Sequence, residues 1–338
     1  MLTPSASAFS DAAWMRAVLA HVPRAAVVVN EPEARFHLLA ARRSRVPVPH
    51  LQSLTAALTP SPLPSVAGTP GETEAAAFLK RLDMPLVLRG VTLDNPVTAA
   101  LIKGASHVRV LKSWHRAALD LNGDFDTWLN QNFDHKRRKE LKRLKARLAE
   151  QGTLTLEELT PGGDLASHIK AFLEVEASGW KGRRGTAILN SATTAQGLAA
   201  GLAAMFVQGK VRFWTMYLDR KPVASLFALV NNGEAVLGKI GYDQAFAKFS
   251  PGVLVIIEAT RALFAEPGLR LADSNAIPGH PMIDRIWRDR IPCADMVIAG
   301  SSVSATAFAL VSRYHGTKDA MRMAAKRIYL SVSGRRAS

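Results

Sequence analysis

The spacing of apolar and polar residues divides the chain into short strands and amphipathic helices. Over the first 120 residues this pattern predicts a small α/β unit. Its predicted helices are residues 10–21, 72–82 and 95–103, and its predicted strands are residues 25–30, 35–40, 85–93, 108–111 and 116–121. Residues 46–71 are rich in Pro, Ser and Thr, and this composition predicts a loop or an insertion.

A second series of elements follows the turn at Asn122-Gly123 and one intervening helical segment. Its predicted strands are residues 154–159, 211–218, 222–230, 234–241, 269–273 and 294–299, and its predicted helices are residues 164–178, 193–208, 250–265 and 281–289. In chain order these elements are strand, helix, helix, three strands, helix, strand, helix and strand. Three consecutive strands joined by short turns predict an antiparallel meander in the middle of this unit.

The intervening segment, residues 124–150, is predicted to be helical in two pieces joined near Asp134. The buried stripe of its second piece is formed by three leucines, Leu141, Leu144 and Leu148. Arg137 falls in the middle of that stripe, whereas most of the other basic residues lie beside it. A charge on a packing face must be paired or must line a cleft. Arg137 is therefore predicted either to bind substrate or to form a structural ion pair.

The predicted helix at 250–265 begins with Ser250-Pro251-Gly252. Serine is a favoured N-cap and proline suits the first helical turn. A helix start of this kind presents free backbone N–H groups to an anion, and phosphate is the usual one. The alternative is a well-capped core helix without a ligand.

The length and the net charge of the chain limit the number of domains and the kinds of ligand that we expect. The 338 residues favour two domains, and the net charge of +15 with a pI near 10.3 predicts attraction to anions such as phosphorylated cofactors, nucleic acid or an acidic membrane surface. No signal peptide or long apolar run is evident, and a single cysteine, Cys293, fits a reducing cytoplasm. The expected localisation is therefore cytoplasmic.

Several common catalytic motifs are absent from the sequence. It contains no HExxH, GxSxG, Walker-type or dinucleotide-binding pattern, and its histidines are scattered. We therefore expect no bound metal. Cys293 lies next to the predicted strand at 294–299 and is interpreted as a buried small hydrophobe rather than a nucleophile.

Four stretches, taken in order, carry a resemblance to a known family. They are residues 137–144 (RRKELKRL), residues 176–182 (EASGWKG), Tyr242-Asp243 followed by Ser250-Pro251-Gly252, and Asp273 followed by Trp287. With the order of elements, they resemble the GNAT acyltransferase fold, and within it the CelD-type (BioF2-like) acetyltransferases of polysaccharide biosynthesis, relatives of the FemAB-type transferases. The resemblance implies an α/β fold with a mixed central sheet and two tandem GNAT-like domains. The predicted units are residues 1–122 (a degenerate first copy), 123–300 (the acyltransferase domain) and 301–338 (a basic helical tail).

The resemblance also implies acetyl-CoA, or another acyl-CoA, as cosubstrate. The pantetheine arm would pair with the strand at 234–241, and the pyrophosphate would rest on the amides that open the next helix. The cofactor-binding residues expected on this basis are Lys239, Gly241, Lys248, Ser250, Gly252, Val253 and Leu254. The usual loop pattern, [RQ]-x-x-G-x-[GA], is not met, because Phe249 and Leu254 occupy its two outer positions.

Three residues are predicted to act in catalysis. Asp273 ends an apolar strand and is interpreted as a base or substrate-orienting carboxylate, or alternatively as a cap for the following loop. Tyr242 is interpreted as a general acid or as a core aromatic residue. Glu176 either faces the acceptor or is a solvated helix carboxylate.

Two basic segments suggest partners. Trp180 and Lys181 lie in a glycine-rich loop with Arg183 and Arg184, which suggests a platform for a sugar ring and an anionic acceptor such as a nucleotide sugar, or else an exposed loop that is merely basic. The tail at 301–338 either docks on an acidic membrane surface or assembly partner, or packs on the domain as a helix.

Three functions follow from these predictions. The first is acyl transfer from acyl-CoA to an amino or hydroxyl group, with a small molecule or a sugar precursor as acceptor. The second is transfer of an aminoacyl group from a charged tRNA, which the basic charge and the altered loop favour. The third is a catalytically inactive GNAT fold that acts as a binding module.

Overall fold

The computed structural model describes residues 8–21, 26–29, 36–43, 48–53, 63–66, 69–179, 185 and 187–334. Within these ranges the α-helices are α1 (Ala12–Leu19), α2 (Glu72–Arg81), α3 (Pro96–Gly104), α4 (Phe125–Asn132), α5 (His135–Ala149), α6 (Leu165–Ala177), α7 (Ala192–Phe206), α8 (Pro251–Ala265) and α9 (Ala305–Gly334). The strands are β1 (Ala26–Val29), β2 (Phe36–Arg43), β3 (His50–Ser53), β4 (Ser65–Val66), β5 (Leu86–Thr92), β6 (His107–Asp120), β7 (Leu154–Glu158), β8 (Val211–Leu218), β9 (Lys221–Asn231), β10 (Glu234–Tyr242), β11 (Leu271–Asp273) and β12 (Asp289–Ala299).

One mixed sheet runs through the described part of the chain. Its strand order is β1-β2-β3-β5-β12-β6-β11-β10-β9-β8-β7, and β4 pairs with β2 outside this path. The pairs β3–β5 and β10–β11 are parallel, and the other pairs are antiparallel. The C-terminal strand β12 lies between β5 and β6, so the sheet continues across the predicted boundary at residue 122. The division into units remains a prediction.

Helices cover both faces of this sheet. Along β10, Ala235 and Leu237 join a core with α8, whereas Val236 joins a different core with α1, α6 and α7. This alternation is the period-2 pattern of a strand that is buried on both faces. The helices α2 and α3 pack with β5 and β12 in a third core. The helix α9 packs on β6 and β12, where Val311 contacts Val87 and Val297.

Most of the predicted elements are confirmed with shifts of one to three residues at their ends. The helical segment after residue 123 is divided at Asp134, which caps α5 through a hydrogen bond from Arg137 N (2.7 Å), as predicted. Asp11 likewise caps α1 through Ala13 N.

Three predictions are wrong. The loop interpretation of segment 46–71 is wrong, because β3 and β4 lie within it, whereas its interpretation as an insertion remains a prediction. The two short strands at 108–111 and 116–121 are one strand, β6, since β12 pairs along almost its whole length. The predicted helix at 281–289 is only a 3-10 turn at Ile283–Arg285. There, Ile283, Ile286 and Trp287 have helical spacing because they fill the core beside α8, but β12 already begins at Asp289.

Candidate functional site

From the pairing of the strands we infer a cleft in the sheet between β10 and β6. The strands β10 and β11 pair only from Glu234–Leu271 to Val236–Asp273. Beyond that point β11 has ended, whereas β10 continues to Tyr242 with only β9 beside it in the described structure. On the other side of β11, β6 pairs with it only over Ala118–Asp120. The strand edge at 238–242 therefore faces the cleft, and Asp273 lies at the cleft's inner end.

A bulge shapes the cleft side of β10. The pairing register with β9 shifts between Leu237 and Ile240. Gly238 lies in this bulge, where a Cβ atom would come within 2.0 Å of the Phe227 ring. Gly241 plays a similar part against α6, because its Cβ would lie 2.9 Å from the backbone nitrogen of Glu176. Glycine at both positions is thus required for the close packing of β10.

The Asp273 carboxylate is buried and occupied by intramolecular contacts. It forms an ion pair with Arg116 through Oδ2, and its Oδ1 accepts a hydrogen bond from Asn275 N (2.7 Å). Burial alone would lower the pKa of Arg116, but the charge and hydrogen bond of Asp273 outweigh it and raise that pKa above its ordinary value. These contacts are those of a residue that caps the following loop and orients it, which was the alternative interpretation. A role as base remains a prediction.

Glu176 is buried rather than solvated, so the alternative of an exposed helix carboxylate is wrong. Only 4% of its surface is exposed, and its Oε2 accepts a hydrogen bond from Ile188 N (2.9 Å). Glu176 therefore connects the end of α6 to the segment that follows the glycine-rich loop. Trp180 and Lys181 in that loop, with Arg183 and Arg184, lie outside the described residues.

Tyr242 and Gly252 meet at the start of α8. A Cβ atom on Gly252 would lie 3.0 Å from Cδ1 of Tyr242 and 3.5 Å from Sδ of Met282. The tyrosine ring therefore covers the first turn of the helix at the outer end of the cleft. The role of Tyr242 as a general acid remains a prediction.

The helix start differs from the prediction in two respects. Ser250 is the N-cap residue, but its backbone is left-handed (φ 52°) and its side chain makes no capping hydrogen bond. The amides of Val253 and Leu254 both donate to Ser250 O (2.9 and 3.1 Å). Of the three predicted amides, Gly252 N–H is the one without an acceptor among the described residues.

The remaining predicted cofactor residues flank this helix start. Lys248 is exposed, and its Nζ lies 4.9 Å from the centroid of the Phe249 ring. Phe249 and Leu254, the two residues that break the usual loop pattern, are both buried in the core with α8. Their side chains therefore do not line the open cleft. Lys239 lies on the half-buried part of β10 beside the bulge.

Arg137 lies in a group of three arginines. Its guanidinium stacks over the Phe133 ring, 4.5 Å from the centroid. Partial burial, together with the positive charges of Arg288 and Arg285, lowers the pKa of Arg137. The structural ion pair proposed as the alternative for Arg137 is not formed among the described residues.

The sequence prediction missed Arg285 and Arg288. Both are exposed, and both flank Trp287, whose ring is buried and donates from Nε1 to Thr260 Oγ1 on α8 (3.0 Å). The clue in the sequence was a tryptophan between two arginines.

A basic groove of about 640 Å³ lies beside this site, between α4, α5 and α8. Its apolar residues are Leu129, Leu141, Leu254 and Ile257, and its charged residues include Asp126, Arg138, Lys139, Lys142, Lys145, Glu258 and Arg261. Glu258 pairs with Lys145 (2.5 Å), and Asp126 lies 3.8 Å from Arg261. Lys139 and Lys142 have no carboxylate partner in the described structure, so the groove attracts anions.

The described residues give little support to metal-dependent or thiol chemistry. These residues include no group of three or more His, Cys, Asp and Glu side chains that could hold a metal ion. Burial raises the pKa of Cys293 to about 12, as expected for a core thiol. None of the helices in these ranges combines the length and the apolar character needed to span a membrane.

Comparison with known proteins indicates the class of protein to which the fold and the candidate site correspond. Residues 135–276 match the family model of the acetyltransferase (GNAT) domain. This segment contains α5, the meander β8–β10, the start of α8 and the end of β11, which together frame the cleft. The chain therefore has a GNAT fold, as the resemblance implied, and it is a transferase of the GNAT type. The narrower CelD-type assignment does not follow from this match.

Solved structures agree on the fold at low sequence identity. FemX is similar over 89% of this chain and 94% of its own, with 10% identity and a TM-score of 0.56. The L-PGS of Bacillus licheniformis is similar over 89% of this chain and 94% of its own, with 12% identity and a TM-score of 0.54. The C-terminal domain of a candidate lysylphosphatidylglycerol synthetase from Agrobacterium fabrum is similar over 90% of this chain and 91% of its own, with 12% identity and a TM-score of 0.55. No curated protein sequence matches the chain.

Proposed function

We propose that the protein transfers an acyl group from an acyl-CoA thioester to an amine or hydroxyl group. The observation that carries this proposal is the open edge of β10 at 238–242, which ends beside the start of α8. An extended chain that contains amides can add to such an edge through main-chain hydrogen bonds. The pantetheine arm of CoA is a chain of this kind.

The helix start and its surroundings suit the phosphates of the donor. Gly252 N–H points out of the first turn of α8, where the helix dipole favours negative charge. Lys248 and the group of arginines around Arg137 add positive charge nearby. This charge replaces the basic residue that the usual loop pattern would place at Phe249.

The reaction needs positioning more than covalent catalysis. The nucleophilic nitrogen or oxygen of the acceptor attacks the thioester carbonyl, the C–S bond breaks, and the thiolate of CoA takes up a proton. Holding the two reactants together supplies most of the rate enhancement. We assign the donation of that proton to the hydroxyl of Tyr242, whose ring lies against Gly252 at the junction of β10 and α8.

We assign Asp273 to orientation of the acceptor side of the cleft. Its two oxygens are held by Arg116 and Asn275. The acceptor that we propose is an anionic small molecule, with a sugar precursor as the first to test, because the loop with Trp180 and Lys181 combines an aromatic ring with positive charge.

The test is release of CoA from acetyl-CoA, measured as free thiol in the presence of a panel of amino and hydroxyl acceptors. We expect acceptor-dependent release by the natural protein and at least about tenfold less by Tyr242→Phe, with unchanged Tm. Equal activity of the variant would remove Tyr242 from the mechanism. Absence of release, together with absence of acetyl-CoA binding, would reject acyl-CoA as the donor and leave the aminoacyl-tRNA donor and the inactive binding module.

A second candidate donor, an aminoacyl-tRNA, is favoured by one observation. The groove between α4, α5 and α8 presents Lys139 and Lys142 beside the candidate site, and FemX and L-PGS share this fold. If tRNA is the donor, its binding should weaken steeply as the salt concentration rises. The double variant Lys139→Gln/Lys142→Gln should lower the slope of the logarithm of the binding constant against the logarithm of the salt concentration, by up to about the contribution of two phosphate contacts. Salt-independent binding, or none, would exclude this donor.

A further inference from the structure

The groove between α4, α5 and α8 combines an apolar floor with a basic rim. Its floor is formed by four aliphatic side chains, Leu129, Leu141, Leu254 and Ile257. Lys139 and Lys142 are exposed at the rim on α5, and neither forms an ion pair within the described ranges. A groove with these two properties fits an amphipathic ligand that carries negative charge.

The walls of the groove are helical. On α8, the residues Leu254, Ile257, Glu258 and Arg261 have the spacing i, i+3, i+4 and i+7, so they lie on one side of the helix over about 10 Å. The opposite wall is α5, and the ion pair between Lys145 and Glu258 (2.5 Å) joins the two walls. A groove of this length accepts about two turns of a partner helix, whose apolar face would pack on the floor.

The lining of the groove suits an acidic helix better than a nucleic acid. Surfaces that bind phosphate backbones are polar and densely positive. Here the floor is aliphatic, and the carboxylates of Asp126 and Glu258 belong to the lining. An amphipathic helix would cover this floor with its apolar face, and acidic residues along its edge would meet Lys139 and Lys142.

The position of the groove relates it to the open edge of β10. Leu254 lines the groove, and Gly252, two residues before it, lies against Tyr242 at the end of β10, with 3.0 Å between an added Cβ and Cδ1 of the ring. The helix α5 also packs against the 3-10 helix Gln244–Phe249, which connects β10 to α8. A protein docked in the groove would therefore present a flexible arm at the outer end of the cleft.

The altered loop before α8 favours a donor with few phosphate groups. Phe249 and Leu254, which break the usual loop pattern, are buried apolar residues and offer no charge to a phosphate. CoA carries a diphosphate and a further phosphate, whereas a phosphopantetheine arm on a carrier protein carries a single phosphodiester. With a carrier-bound arm, most of the attraction would come from the acidic surface of the carrier.

We propose that the groove between α4, α5 and α8 docks an acidic helix of a carrier protein, which presents the acyl group on a phosphopantetheine arm along β10. This inference rests on the proposed function for the transfer reaction and changes only the molecule that bears the thioester. The acceptor attacks the thioester carbonyl, and the C–S bond breaks. The proton that the acceptor loses passes to the thiolate at the end of the carrier's arm.

The probe is a purified acidic acyl carrier protein in two forms, titrated into the full-length protein and measured by calorimetry. The acetylated form carries the whole donor, whereas the apo form lacks the arm and tests the groove alone. The informative variant is Lys139→Glu/Lys142→Glu, in which both side chains are exposed on α5. Lys103→Glu/Lys170→Glu is the matched control, because it changes the net charge equally at exposed positions on α3 and α6, away from the groove.

We expect the natural protein to bind both forms of the carrier, and Lys139→Glu/Lys142→Glu to bind them at least about tenfold more weakly, with an unchanged Tm. The affinity of the control variant should equal that of the natural protein. The loss of affinity for the acetylated carrier should also exceed the loss for acetyl-CoA, since only the carrier reaches the rim of the groove.

Three results would overturn the inference. They are no binding of either carrier form at about 100 µM, equal affinity of the two double variants, and binding of tRNA through the two lysines in place of the carrier. Transfer from acetyl-CoA without any binding of the carrier would reject the inference and leave the proposed function standing. Lysine-dependent binding of the apo carrier, without acceptor-dependent transfer from either thioester, would support the docking surface and reject the proposed function.

Discussion

At the scale of single residues, the shape of the candidate site depends on three glycines, which carry no side chain. Gly238, Gly241 and Gly252 each lie where a Cβ atom would meet a neighbour at 3.0 Å or less. The contacts are with Phe227, with the backbone of α6 and with Tyr242, respectively. These glycines allow β10 to bulge and α6 to approach it, so the shape of the cleft follows from them.

The replacement Gly241→Ala tests this dependence. Its Cβ would lie 2.9 Å from Glu176 N and 3.0 Å from Val175 Cγ2, so we expect a loss of about 1–3 kcal/mol in the free energy of unfolding, measured with urea. Gly316→Ala on α9 is the control, because nothing lies within 4 Å of its added Cβ and alanine favours the helix. Equal stability of Gly241→Ala and the natural protein would show that α6 does not pack as closely as described.

The replacement Asp273→Asn separates orientation from base catalysis. It leaves the buried guanidinium of Arg116 without its ion pair, and breaking one partner of a buried pair typically costs about 3–5 kcal/mol. We therefore expect a large loss of stability, with activity falling in proportion to the folded fraction. A variant that keeps its Tm but loses activity at least about a hundredfold would identify Asp273 as the base instead.

At the scale of elements, a partly buried polar network attaches the helix α9 to the sheet. Arg89 on β5 donates to Asp295 (3.0 Å), to Asp319 (2.5 Å) and to Nδ1 of His315 (2.9 Å). His315 Nε2 in turn lies 3.1 Å from Nε2 of His50 on β3. The first half of the predicted basic tail is thus a helix packed on the sheet, which was one of its two interpretations.

This network predicts a loss of stability in acid. The pKa of His315 is lowered to about 4, chiefly by burial and then by the positive charges of Arg89 and His50. Lys318 lowers this pKa further, whereas the negative charge of Asp319 raises it. Because this folded-state pKa lies below the usual histidine value of about 6.5, the contribution to stability is complete above pH 6.5 and is lost as the pH falls towards 4. We expect the free energy of unfolding to fall by about 1–3 kcal/mol over that interval.

Urea unfolding between pH 7 and pH 4 measures this loss, and His315→Gln is the informative variant. Glutamine cannot be protonated here, so its stability should depend less on pH than that of the natural protein over the same range. An identical pH dependence in both proteins would show that His315 does not titrate on unfolding in this way.

The elements themselves were largely predictable from the sequence, since each depends on a local period of apolar residues. Asp11, Asp134 and Asn95 cap α1, α5 and α3, and such caps can be read directly. The strand β3 was missed because its four residues follow Pro47 and Pro49 in a segment rich in Pro, Ser and Thr. Its stability comes from pairing with β2 and β5, which no local pattern shows.

At the scale of the whole molecule, the site is a product of long-range topology. The sequence predicted β10, the start of α8 and Arg137 as parts of one site, and the structure places Tyr242 against Gly252 and frames the cleft with these elements. It could not predict that β10 and β11 part after Val236, nor that a segment after residue 280 brings Arg285 and Arg288 to Arg137. Both depend on contacts between residues far apart in the chain.

Amide hydrogen exchange can show whether the open edge of β10 and the start of α8 bind acyl-CoA. The protein is compared with and without millimolar acetyl-CoA, with Gly252→Val as a variant whose side chain would crowd Tyr242 and Met282. We expect slower exchange with acetyl-CoA in peptides that cover residues 238–254 of the natural protein, with weaker protection in Gly252→Val. Unchanged exchange in those peptides, or protection confined to a different part of the sheet, would contradict it.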